Sequence, residues 1–146
     1  MGITTDDINQ VITEVWAPSL ELDLYAVGEE TGVRDHVTIL TATGGWEGRI
    51  VVSATASFAR AVAAKMFGLP RDEVPTSDAA DAIGELANVV SGNLKALLGE
   101  DEVDLGLPVT DATWDGTGDV MASTVLAAAP GFEVSVHVLE GVPATA

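Results

Sequence analysis

Hydrophobic residues recur along this chain with a period of either about 3.6 or 2, and each change of period marks an element boundary. From Ile8 the helical period holds: Ile8, Val11, Ile12, Val15 and Trp16 share a face, Thr5 is the expected N-cap, Asp6 and Asp7 suit a helix start, and Pro18 is the expected stop. From Leu20 to Val27 the pattern alternates, with Leu20, Leu22, Leu24 and Ala26 opposite Glu21, Asp23 and Tyr25. That predicts a half-buried strand, then a turn around Gly28 to Gly32. Arg34 to Thr43 and Trp46 to Ala54 are rich in β-branched residues and meet at Gly44–Gly45, which predicts a hairpin. The helical period returns in Ala56 to Phe67, with Phe58, Val62, Ala63 and Met66 on the core face, and ends at Gly68 with Pro70 just beyond. After the polar connector LPRDEVPTSD the longest helical pattern runs from Thr76 to Leu98, with Ser77 or Asp78 as its cap. An acidic loop holding Glu100, Asp101, Glu102 and Asp104 follows. Then come three strand patterns, Leu107 to Thr113, Val120 to Ala129 and Phe132 to Leu139, the last two joined by a type II turn at Pro130–Gly131. In the last strand Glu133, Ser135 and His137 alternate with the apolar positions.

The order helix, three strands, two helices, three strands, with connections short enough for hairpins, predicts an α+β fold: a mostly antiparallel sheet of about six strands packed with three helices. No linker interrupts residues 1–146, so the chain reads as one domain, and the two strand triplets suggest a degenerate structural duplication.

Composition narrows the chemistry. The chain is 146 residues long and 47% hydrophobic, enough for a real core, and it has no cysteine, so thiolate metal sites and cysteine nucleophiles are excluded. With 23 acidic and six basic residues the formal charge is −17, which repels phosphate backbones and anionic lipid and argues against nucleic-acid and membrane partners. A solvated acidic surface accounts for that charge without any partner. No signal-like N-terminus and no long apolar run is present, so a cytoplasmic protein is expected. The loop DATWDGTGD begins like a calcium loop, but the twelfth position is Ala122 where a bidentate acid is required. His36 and His137, both in strand patterns, have no partner ligand at metal spacing and read as partly exposed strand residues. Neither a G-x-S-x-G elbow nor a phosphate-binding glycine loop occurs.

The long helix remains. Ile83, Ala87, Val90, Leu94, Leu97 and Leu98 form its core stripe, and Asp81, Glu85, Asn88, Gly92 and Lys95 form the opposite one. Glu85 and Asn88 are neighbours on that outward face, a carboxylate and an amide held on a rigid element. Gly84 and Gly92 each cost about 1 kcal/mol relative to alanine in a helix interior. Either something approaches this face closely, or another element of the chain packs tightly there.

The run Asp81-Ala-Ile-Gly-Glu85-Leu-Ala-Asn88, with Pro108 following after nineteen intervening residues, resembles the active-site helix of the CheC/CheX/FliY family of chemotaxis phosphatases. The preceding hairpin and helix, TILTATGGWEGRIVVSATASFARAVAAKMFG, resemble the corresponding CheX segment. Of three asparagines only Asn88 lies three residues after a glutamate, so a single site of the CheX type is implied. The resemblance implies a protein aspartyl-phosphate phosphatase acting on a phosphorylated CheY-like response regulator, in chemotaxis or another two-component circuit. Glu85 and Asn88 would be catalytic, and Asp81, Gly84, Gly92 and Lys95 would contact the partner. The protein would need no cofactor of its own, since the Mg2+ would be bound by the response regulator. It also implies a homodimer through sheet edges. One alternative is a CheX-like docking module that binds a response regulator or a flagellar-switch-type partner without hydrolysis; another is that the stripe is only a solvated helix face.

Overall fold

The computed structural model describes residues 3–28, 33–98 and 103–141. The expected turn at 28–32 and acidic loop at 100–104 therefore lie mostly outside the described residues, as do the side chain of Leu98 and all of residues 142–146.

Among the described residues three α-helices and six strands form. Helix α1 (Thr5–Gln10) is capped by Thr4, not Thr5. The Thr4 hydroxyl accepts from the Asp7 amide, and the Asp7 carboxylate accepts from the Thr4 amide, a reciprocal capping box. Thr5 turns to the sheet and donates to the Ser123 carbonyl at 2.8 Å. The chain then stays helical past the expected stop, as a π-helical segment over Val11–Trp16 and a 3₁₀ turn over Ala17–Leu20 that has Pro18 in its first turn. Glu21, at φ 56°, ends it. The expected strand over Leu20 to Val27 reduces to β1 (Tyr25–Ala26). Leu20, Leu22 and Leu24 do pack on the core, but the left-handed residue at 21 takes the backbone out of sheet geometry.

Strands β2 (His36–Gly44) and β3 (Gly48–Ala54) form the predicted hairpin. Helix α2 (Ala56–Phe67) and helix α3 (Thr76–Leu98) have the predicted bounds. Helix α2 stops at Gly68, where φ is +68°. Helix α3 begins earlier than its expected cap: the Pro75 carbonyl accepts from the amides of Asp78 and Ala79, so Ser77 and Asp78 lie inside its first turn. Strand β4 (Val103–Leu105) falls where a loop was expected. The segment Leu107 to Thr113 is tied to β2 only by a bridge between Val109 and Ile39 and a bond from Ala112 to Val37. Pro108 has no amide to offer, and Asp111 is left-handed at φ 53°, so a continuous ladder cannot form there. Strands β5 (Asp119–Ala129) and β6 (Phe132–Glu140) close the sheet through the turn at Pro130–Gly131, where Gly131 has φ +81°.

Every pairing is antiparallel, in the order β1-β5-β6-β3-β2-β4. Outward from the central β3–β6 pair, each half runs through its hairpin partner to a short edge strand. The edges are exchanged, β1 lying beside β5 and β4 beside β2, so the order is symmetric about the central pair.

All three helices cover one face. Leu40, Ile50, Val52, Val134, Val136 and Val138 point from the strands into a core with Ile8, Ile12, Phe58, Ile83, Leu86 and Leu94. The other face is more polar and is partly covered by the chain between residues 111 and 118. Ser53 and Ser135 hydrogen-bond there at 2.6 Å, Arg34 pairs with Glu133 at 3.0 Å, and the Trp114 ring lies 4.7 Å from that of His137. His36 is buried, contrary to its expected partial exposure.

Candidate active site

Helix α3 is surrounded on most of its circumference. Ala79, Ala82, Ile83, Leu86, Ala87, Val90 and Leu94 are buried against the sheet and the other helices. The expected core stripe is therefore present over Ile83, Ala87, Val90 and Leu94, but Leu97 is half exposed, in a groove that it lines with Gln10, Val11 and Glu14. What remains in water is a stripe holding Asp81, Glu85, Asn88 and Gly92, with Lys95 half-buried at its far end.

Two other polar side chains on this helix are used internally. Ser91 donates to the Ala87 carbonyl at 2.6 Å, and the Asn93 amide donates to the Val89 carbonyl at 2.8 Å. The third asparagine, Asn9, accepts from the Thr124 hydroxyl. Among the described residues, Asp81, Glu85 and Asn88 make no side-chain hydrogen bond or ion pair with the rest of the protein. Of the three asparagines, Asn88 alone keeps its full donor and acceptor capacity for something outside the chain.

The two glycines separate. Gly84 is buried beneath Thr110, where an added Cβ would stand 3.2 Å from Thr110 Cγ2. Gly92 has open space around it. Tight internal packing thus explains Gly84, while nothing in the fold requires Gly92.

Two further segments complete the surroundings. The chain after β4 runs antiparallel alongside β2, with Gly106 donating to the Thr41 carbonyl and Val109 exchanging both backbone bonds with Ile39. This strap holds Pro108 and Thr110 beside α3. From the other side comes Phe67, the last residue of α2. Phe67, Asp81, Gly84, Glu85, Asn88, Pro108 and Thr110 line one open cleft of about 400 Å³. Phe67 and Thr110 were missed in the sequence. The available signal was that Phe67 is a large apolar residue lying off the core stripe of its own helix, directly before the terminating glycine.

A slightly larger hollow, about 460 Å³, opens on the other face of the sheet and is lined by Arg34, Ser53, Trp114 and Asp115 among others. Several of its polar groups are already engaged: Ser53 bonds Ser135, Arg34 pairs with Glu133, and Asp115 accepts from both the amide and the hydroxyl of Thr117. Those Thr117 bonds keep the Asp115 carboxyl below its usual range. Among the described residues no group of three His, Asp or Glu side chains could hold a metal ion, and no helix is long and apolar enough to cross a membrane.

The sequence profile of the family described as Chemotaxis phosphatase CheX matches residues 37–125, which span β2 to β5 and include α3 and Pro108. Among solved structures, a chemotaxis protein CheX from Vibrio vulnificus superposes with a TM-score of 0.72 at 17% identity, covering 92% of this chain and 93% of that one. CheX in a CheX–CheY–BeF3–Mg2+ complex from Borrelia burgdorferi gives 0.68 at 15% identity, covering 96% and 100%. A CheX from Desulfovibrio desulfuricans gives 0.63 at 24% identity, covering 93% and 97%. None of the curated proteins matches the chain.

Proposed function

The chain belongs to the chemotaxis phosphatase CheX family, and on that premise we propose that it hydrolyses the aspartyl phosphate of a CheY-like response regulator. The observation that carries the proposal is the exposed Glu85 and Asn88, one turn apart on a rigid helix and with no side-chain bond among the described residues. The Borrelia structure, in which a protein of this fold is complexed with CheY, supports the choice of partner.

An acyl phosphate is already activated, so the catalyst's task is mainly to place a water in line with the leaving oxygen. The Asn88 amide can do this by accepting a hydrogen bond from the water through its oxygen and donating through its NH2 to a phosphoryl oxygen. As the water oxygen bonds to phosphorus, the bond between phosphorus and the aspartyl oxygen breaks and its electron pair stays on the receiver carboxylate. The water's proton leaves with inorganic phosphate or to solvent. Glu85 accepts a charge-assisted bond from a lysine beside the phosphoryl group and fixes the helix in place, and Asp81 adds a weaker contact one turn away. The Mg2+ belongs to the receiver in this reading and supplies charge neutralisation there. Lys95 offsets part of the repulsion between this acidic chain and an acidic receiver.

A homodimer through the sheet edges and a cytoplasmic location are part of the same proposal, and sedimentation of the purified protein tests the first. The function is tested by timing acyl-phosphate loss from a phosphorylated receiver domain with and without this protein. Acceleration supports hydrolysis. Co-elution of the two proteins with an unchanged decay rate would replace this proposal with the docking module.

A further inference from the structure

The cleft beside Asn88 is larger than water placement needs. Its roughly 400 Å³ is room for on the order of ten waters, whereas one attacking water and the Asn88 amide need a small part of it. Its walls are also chemically uneven. Phe67 stands 45% exposed on one side and Pro108 lies on the other, while the rim on α3 carries Asp81 and Glu85. These carboxylates sit at i and i+4 on one helix face, an arrangement of like charges that destabilises a helix unless a cation lies between or beside them. No lysine or arginine of this chain lines the cleft.

An aromatic wall next to unpaired carboxylates matches a side chain with an apolar stem and a cationic head. An acidic peptide, or a phosphate with no cation beside it, would be repelled from the rim, and a purely apolar anchor would leave the carboxylates unused. We propose that Phe67 and Pro108 form a second anchoring subsite, in which a long cationic side chain of the receiver lies against the Phe67 ring and ends on the Asp81 carboxylate. It is separate from the contact that Glu85 makes at the phosphoryl group. The inference rests on the reading of this face as receiver-binding. It makes Phe67 a specificity-determining residue, favouring receivers that carry a lysine or arginine at the matching position.

The test measures binding of this protein to CheY-like receiver domains loaded with beryllofluoride and Mg2+, so that nothing is hydrolysed. Phe67→Ala and Asp81→Asn are each expected to raise Kd about tenfold, and Phe67→Tyr to restore it to within about threefold. The double variant should bind about as weakly as the worse single one, since both remove the seat of one side chain. Asp81→Asn should also flatten the dependence of Kd on salt. In turnover assays the Phe67→Ala loss should fall on KM, whereas that of Asn88→Ala falls on kcat. Phe67 is half exposed, so its variants should fold, and far-UV circular dichroism checks this. Kd within twofold of wild type for both single variants overturns the subsite even if wild type accelerates dephosphorylation. Weakened binding without any wild-type acceleration keeps the subsite and removes the phosphatase. Failure of wild type to bind any loaded receiver removes both.

Discussion

A methyl group on Gly84 would stand 3.2 Å from Cγ2 of Thr110, so the motif helix and the strap carrying Pro108 are in close contact, and any side chain at 84 must displace Thr110 by a few tenths of an ångström or more. Gly84→Val is therefore expected to overpack this contact, costing about 1–3 kcal/mol. Gly92→Ala, with open space around it, should instead stabilise the helix by about 0.5–1 kcal/mol. Urea denaturation of the two variants checks the contrast. Equal effects of the same sign would show that the strap does not rest on α3 as described.

The second face of the sheet gives another test. Ser53 and Ser135 are both buried and bonded at 2.6 Å. Removing either hydroxyl leaves the other unpaired, so Ser53→Ala and Ser135→Ala should each cost about 1–3 kcal/mol. The double variant should lose less than the sum, because no orphaned hydroxyl remains. Additive losses in a double-mutant cycle would contradict the bond.

Asp115 should titrate below its usual value of 3.8, because the hydroxyl and amide of Thr117 both donate to its carboxylate. The folded-state pKa is depressed, so the stabilisation is present above the unfolded value and is lost as pH falls through the folded one. Thr117→Val removes the hydroxyl and should move the titration upward. Carboxyl chemical shifts followed by NMR from neutral to acidic pH read this directly, and an unchanged midpoint would contradict the role given to Thr117.

The helical layer was legible wherever a single face is buried. The bounds of α2 and α3 follow from the 3.6-residue stripes of Phe58-Val62-Ala63 and Ile83-Ala87-Val90-Leu94, because burial and periodicity coincide there. Alternation misled at Leu20 to Val27. It reported correctly that Leu20, Leu22 and Leu24 turn inward, but side-chain direction does not specify a backbone ladder, and Glu21 breaks it. The segment from Leu107 to Thr113 failed for a related reason: an extended chain whose proline and left-handed aspartate allow only a bridge looks like a strand in its side chains alone. Thr4 and Thr5 are equivalent in composition, and only the reach of Thr5 to Ser123 decides which one caps α1. Glu85 and Asn88 were visible as an exposed pair because their placement needs only one helix face. Phe67 and Thr110 were not, since the cleft they line is assembled from three segments distant in sequence.

The central claim is that Asn88 places the attacking water, and single-turnover dephosphorylation of a phosphorylated CheY-like receiver, at saturating amounts of wild type and of Asn88→Ala, tests it most directly. Wild type should shorten the life of the acyl phosphate, and Asn88→Ala should lose about a hundredfold of that acceleration or more while binding the beryllofluoride-loaded receiver as tightly. Equal rates for the two proteins at saturation, or no acceleration by wild type, would contradict the account.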